Sequence, residues 1–164
     1  MLRGAFRAVA LRGRHRHALS HSATLARLTH VRTNGPAAAL SAVVFIHLAV
    51  SLVHGAAHAG AAVPLTPAAA LFVLLVIEIG PLAGLAWARV RPREGGAIVA
   101  ATMAGALVFG LANHFLVAGA DHVSRVAGPW RALFGSTAVL LLVTEAAGVV
   151  VGLRRAMTPA RRAS

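Results

Sequence analysis

Four long apolar stretches, at about 37–60, 68–90, 96–119 and 130–153, leave this chain little choice of architecture. At about 1.5 Å of rise per residue, a helix through any of them would cross a hydrocarbon layer about 30 Å thick. A strand in that layer would leave backbone N–H and C=O groups without partners, so a helix is expected in each stretch. The connections "AAVPLTP", "RPREGG" and "ADHVSRVAGP" are short, which forces consecutive helices to run antiparallel as neighbours. Composition agrees. Of the 164 residues 58% are hydrophobic and 12% charged, where an ordinary soluble domain carries about a quarter charged. The expectation is an all-α integral membrane protein, an up-down-up-down four-helix bundle over 37–153. A basic, disordered tail over 1–36 precedes it and a short basic tail over 154–164 follows.

The charge pattern gives that bundle a direction. All sixteen basic residues are Arg and the net charge is +12. Seven Arg lie in the N-terminal tail (Arg3, Arg7, Arg12, Arg14, Arg16, Arg27 and Arg32). Arg89, Arg91 and Arg93 lie at the second corner, and Arg154, Arg155, Arg161 and Arg162 at the C-terminal end. Only Arg125 and Arg131 fall on the other side. The excess of Arg on one side places both termini in the cytoplasm of a multi-pass cell-membrane protein, with Trp87 and Trp130 at the two interfaces. A charge this basic often marks a nucleic-acid binder. Here its concentration beside apolar spans points instead to anionic lipid headgroups, met by the Arg-rich tails. A membrane partner subunit or a second copy of the chain is the other partner expected. The Arg- and Ser-rich tail also fits an organelle transit peptide, and the first span fits an uncleaved signal anchor.

Cysteine is absent, which removes disulfides, a thiolate nucleophile and thiolate metal sites. No Walker loop, dinucleotide fingerprint or G-x-S-x-G elbow is present. The chain reads as a binding, transport or assembly protein rather than an enzyme.

Ionisable groups at membrane depth are costly, and each is a functional candidate. They are few: His47, His54 and His58 in the first span, Glu78 in the second, His114 in the third and Glu145 in the fourth, with Asp121 and His122 just beyond the third. Steps of seven and four keep His47, His54 and His58 on one stripe of a helix. Counted from the outer end of each span, His54 and His114 both lie about 8 Å deep, and His47 and Glu145 both about 20 Å.

Three chemistries fit this column. His54 and His58, one turn apart, present two imidazoles on one face, and His114 supplies a third. With an oxygen from Glu78 or Asp121 and no thiolate, such a set suits Zn, Cu(II), Ni or Fe. Alternatively, His54 and His114 ligate the iron of a b-type haem from opposite sides, with Gly55, Ala56, Ala57, Gly110 and Ala112 leaving room. That arrangement resembles four-helix membrane cytochromes of the b561 kind, in the pairing of histidines on facing helices alone. The third reading is proton- or ion-coupled transport through a His–Glu relay. Against all three stands hydrogen bonding that merely ties helices together. His47 with Glu145 is the natural buried pair, and Glu78 belongs to the same pair or relay. His122 extends the outer cluster.

Two local features complete the reading. Pro81, in "IEIGPLAG", frees the carbonyl of Ile77 near Glu78, and Gly80 and Gly84 permit close helix contact. Asp121 and Arg125 are spaced to pair on a short interfacial helix.

Overall fold

The computed structural model describes residues 35–158, and these residues are helical with no strand among them. The Arg-rich stretch over 1–34, and Arg161 and Arg162, lie outside the described residues. Four helices are long and apolar enough to cross a membrane. We label them α1 (Pro36–Gly60), α2 (Pro67–Trp87), α3 (Pro92–Leu116) and α4 (Arg131–Met157).

Their ends follow from local chemistry. Prolines open α1, α2 and α3, where a missing N–H costs nothing. The Thr66 hydroxyl accepts from Ala69 N at 3.2 Å and caps α2. Helix α3 starts at Pro92 rather than near 96, with Glu94 in its first turn, where a carboxylate favours the helix dipole. Helix α4 runs to Met157 rather than 153, so Arg154 and Arg155 belong to its last turn, where cations are favoured. It stops at Thr158, whose extended backbone (ψ 125°) precedes Pro159 and reflects that proline's bar on a helical predecessor.

Two helices are not regular. The chain winds as a wider π-helix over Val73–Ile79, just before Gly80 and Pro81, and again over Ala112–Leu116, around His114. The missing proline donor explains the first of these. Helix α3 ends at Leu116 rather than 119, and where a short interfacial helix was expected to carry Asp121 and Arg125, residues 117–130 form a series of turns.

The buried residues show how the bundle is built. On α1 they are Leu40, Val44, His47, Ser51, His54 and His58, in steps of four and three, with Ala57 beside the last of them. On α4 they include Phe134, Thr137, Leu141, Glu145, Gly148 and Gly152. This is the seam spacing of left-handed helix packing. Leu40, Val44, Leu85, Ala88, Val99 and Met103 form an apolar core toward the start of α1. Helices α3 and α4 approach closely there, and a Cβ on Gly152 would lie 2.8 Å from Ala100 N. Gly80 and Gly84 likewise bring α2 against Thr102 and Val99 of α3.

Helix α4 packs on α1 and α3, and α3 on α2, while α1 and α2 touch far less. Outward faces are apolar: Leu52 is 71% exposed and Val108 67%. The buried set holds seven polar residues, among them His47 at 0% and Glu145 at 1%. A surface of that kind with a polar interior is the arrangement a hydrocarbon surrounding demands.

Candidate metal centre

Three elements meet where α1 ends. Helix α1 brings His54 and His58 one turn apart, the π-helical end of α3 brings His114, and the turns after it bring Asp121. The ring centroid of His54 lies 4.8 Å from that of His58 and 4.9 Å from that of His114. One ring nitrogen from each of the three lies within 4.8 Å of the others. All three histidines are buried.

The wider turn around His114 fixes this meeting. It leaves the last carbonyls of α3 free for the following segment, a common remedy for the orphan acceptors of a helix end. Val123 N donates to His114 O at 3.0 Å, and the His122 Nε2–H to Phe115 O at 3.1 Å. The His114 ring donates back, from Nδ1–H to the carbonyl of Asp121 at 3.0 Å. Asp121 is thereby clamped over the ring cluster.

Each imidazole is held by its Nδ1 side. A backbone carbonyl only accepts, so His114 carries its proton on Nδ1. So does His58, whose Nδ1 faces Val63 O at 3.3 Å. For His54 the Nδ1 partner is the Thr137 hydroxyl at 2.8 Å. That hydroxyl gives its own hydrogen to Leu133 O at 2.6 Å, so it accepts from His54. All three rings then turn an Nε2 lone pair toward the middle. His54 Nε2 and His114 Nε2 face each other at 3.2 Å, and His58 Nε2 faces Asp121 Oδ1 at 3.2 Å. Asp121 Oδ1 is buried with no hydrogen-bond donor.

Four acceptors aimed at one another repel unless a cation lies among them. A proton on one ring relieves one such pair, and a metal ion relieves them all. Two ligands about 2.0–2.1 Å from a tetrahedral Zn²⁺ are about 3.3 Å apart, and the two spacings of 3.2 Å match that edge. The widest of the three nitrogen separations closes to it with a ring movement of about 1.5 Å or less. The Nδ1–H donors are the outer partners that ordinarily fix the tautomer of a metal-binding histidine. An iron carrying His54 and His114 on opposite faces would need their nitrogens about 4 Å apart, with a porphyrin between them. The 3.2 Å spacing departs from that.

Asp121 lies outside the helices. Burial alone would raise its carboxyl, but the His114 Nδ1–H, 3.4 Å from Oδ1, and the charge of the His114, His58 and His54 rings when protonated outweigh burial and hold it below the ordinary carboxylate value.

Two groups around the rings were not legible as site residues. Phe134 is wholly buried, and its ring lies 4.9, 4.8 and 5.5 Å from those of His54, His58 and His114. Thr137 sets the His54 tautomer. The buried stripe of α4 carries only Thr137 and Glu145 as hydrogen-bonding side chains, a signal that would have marked the threonine.

The remaining candidates are placed elsewhere. His122 is engaged at both nitrogens, by Phe115 O at 3.1 Å and Ser124 Oγ at 2.8 Å, and does not join the cluster. Asp121 forms no ion pair with Arg125, because its carboxylate turns to His58 and His114. His47 and Glu145 are both buried, but no hydrogen bond joins them. His47 donates from Nε2 to Ile77 O at 3.3 Å, taking up the carbonyl that Pro81 frees. Glu78 accepts from the Ser51 hydroxyl, and Glu145 Oε2 is buried without a donor.

A cavity of about 580 Å³ opens beside the cluster, where α1 and α2 touch least. Its wall includes His54, His58, His114 and Asp121, and also Glu78 and Glu145. No known family pattern, curated protein or solved structure matches this chain.

Proposed function

We propose that this chain is a multi-pass membrane protein that binds one divalent transition-metal ion, best matched by Zn²⁺. His54, His58 and His114 are the nitrogen ligands and Asp121 the oxygen ligand. In this reading the four helices cross the cell membrane up-down-up-down, with both termini cytoplasmic and the metal centre toward the outer face. One observation carries it: three buried imidazoles, each with its Nδ1 proton engaged elsewhere, direct bare Nε2 atoms into one space beside an unpartnered carboxylate oxygen. Nitrogen and oxygen ligands without thiolate suit Zn²⁺ over Cu(I).

The test is metal analysis of the full chain purified in detergent, after loading with Zn²⁺ and removal of the excess. About one ion per chain is expected, falling to background in His54→Ala and His114→Ala and unchanged in His122→Ala. Co²⁺ in place of Zn²⁺ should give the strong visible bands of a tetrahedral site. Background metal in the unaltered chain, or equal loading in all variants, would overturn the reading.

The cavity favours one second reading, in which the bound cation passes on toward Glu145. Two acids, the buried Glu145 and the half-buried Glu78, line the space that joins the histidines, and acids within apolar spans commonly serve ion or proton pathways. Chain in sealed vesicles should then move Zn²⁺ down a gradient, and Glu145→Gln should stop the flux while leaving one bound ion. Absence of flux confines the protein to binding.

A further inference from the structure

At the far end of the bundle the imbalance is reversed. Arg89, Arg91, Arg93, Arg154 and Arg155 gather where α2 and α4 end and α3 begins. The whole chain has four acidic side chains. Three of them, Glu78, Asp121 and Glu145, line the cavity beside the histidines. The fourth, Glu94, takes Arg91 at 3.1 Å and the Trp87 indole N–H at 2.9 Å. No carboxylate side chain is left for Arg89, Arg154 or Arg155.

Arg155 stands between two hollows. One, of about 340 Å³, is lined by Leu40, Ser41, Leu85, Ala88, Arg89 and Arg155. The other, of about 190 Å³, is lined by Arg154, Arg155 and Thr158 among others. The Nε of Arg155 is buried without an acceptor among the described residues. A buried guanidinium nitrogen lacking an acceptor is costly, and it is relieved by an oxyanion that takes its planar fork of donors. Arg93 offers donors only and cannot supply that relief; its Nε donates to Thr158 O at 2.8 Å.

We infer that the hollow between Arg89 and Arg155 is a binding site for the phosphate of an anionic phospholipid. The guanidinium groups would hold the headgroup while the acyl chains lie along the apolar outer faces of α1 and α2. A pocket of this kind, basic and between helix ends, is the usual cradle for an anionic headgroup. The lipid is favoured over a free anion because the hollow sets its two arginines against apolar side chains and adjoins exposed apolar surface, with Val90 71% exposed and Trp87 47% exposed. The inference rests on reading the helices as membrane spans and is independent of the metal reading.

The test is native mass spectrometry of the full chain released from vesicles of phosphatidylcholine with phosphatidylglycerol as minor component. The unaltered chain should retain phosphatidylglycerol preferentially. Retention should fall about tenfold in Arg155→Ala and in Arg89→Ala, while Arg91→Ala, which alters an Arg already paired with Glu94, should match the unaltered chain. Arg155→Lys guards against a folding defect: it keeps the charge and loses the fork, so intermediate retention is expected. Equal retention of both lipids, or losses as large in Arg91→Ala, would overturn the inference. So would displacement of the lipid by millimolar inorganic phosphate with equal protection against heating, which would make the ligand a soluble phosphate. Since the readout is lipid, a failed metal reading leaves this result unaffected.

Discussion

The histidine end and the arginine end of this bundle differ in what they lack. At the first, three buried imidazoles converge beside the Asp121 carboxylate, and no hydrogen bond satisfies its buried Oδ1. At the second, guanidinium groups surround a hollow that no carboxylate side chain of the chain reaches. Helix packing explains neither, because a tie between helices pairs a donor with an acceptor. The arginine end is backed by the well-filled apolar core of Leu40, Val44, Val99 and Met103. The histidine end has a smaller one of Ala57, Val126 and Phe134 beside an open cavity. The sign of the unmet partner is what sets the two proposed guests apart: a cation at one end, an anion at the other.

The comparison is broken most directly at the histidines. Structural Zn²⁺ sites are worth about 10–16 kcal/mol over four ligands, so one ligand represents roughly 3 kcal/mol. His54→Ala or His114→Ala should weaken Zn²⁺ binding about 100- to 1000-fold in a chelator competition. A loss under threefold would mean that the converging rings are only a hydrogen-bonded tie. The next effect is at Thr137, which touches no ion. Thr137→Val removes the acceptor that keeps the His54 proton on Nδ1, and outer partners of this kind carry about 10- to 100-fold in affinity. An unchanged affinity would refute the tautomer argument while leaving the ligands standing.

The number of helices and the meeting of His54, His58 and His114 were legible because both depend on spacing along a helix. Apolar runs count spans, and steps of four and seven put side chains on one stripe. The expected pairing of His47 with Glu145 does not form, although counting placed them at one depth. Depth fixes height and not direction. A π-helical turn admits an extra residue and so swings everything beyond it by about 100°. In α2 such a turn precedes Pro81 and presents the Ile77 carbonyl, which His47 takes. His114 sits in another. The groups that orient the rings, the carbonyls of Val63 and Asp121, belong to the backbone of connecting segments. Side-chain patterns say nothing about where such carbonyls point. Asp121 was read as a partner for Arg125 from an i, i+4 spacing, which has meaning only on a helix, and that segment is turns.

A finer test separates the roles of acid and imidazole. The Asp121 carboxyl is held below its ordinary value. Its ionised form therefore contributes to the fold at all pH above the unfolded value, near 3.9, and is lost only as pH falls through the still lower folded value. Between pH 8 and 5 the carboxylate stays charged, so any loss of Zn²⁺ affinity in that window comes from protons competing for the Nε2 atoms. Affinity should fall as pH falls, with protons released on binding. Asp121→Asn should lower affinity on the order of tenfold near neutral pH and move the midpoint toward lower pH, because the charge coupling between carboxylate and rings is mutual. A midpoint that stays in place would mean that carboxylate and rings do not interact.

The smallest expected effect sharpens the comparison most, because it asks whether the two ends know of each other. Thr137, which touches His54, and Arg155 lie on the same helix, and the eighteen steps from one to the other span about 27 Å. Removing one positive charge at that distance would favour a divalent cation by about 1.2 kcal/mol at an effective dielectric of 20. Salt near physiological strength, with a screening length of about 8 Å, reduces this further. Sites so far apart with no shared partner add within about 0.3–0.5 kcal/mol. Arg155→Ala should therefore change Zn²⁺ affinity less than about twofold in 150 mM salt, and His54→Ala should leave phosphatidylglycerol retention unchanged. A coupling of tenfold in either direction exceeds what Coulomb attraction supplies over that length. It would require a bundle that changes shape when one end is filled, and the cavity between α1 and α2, where the helices touch least, is where that movement would occur.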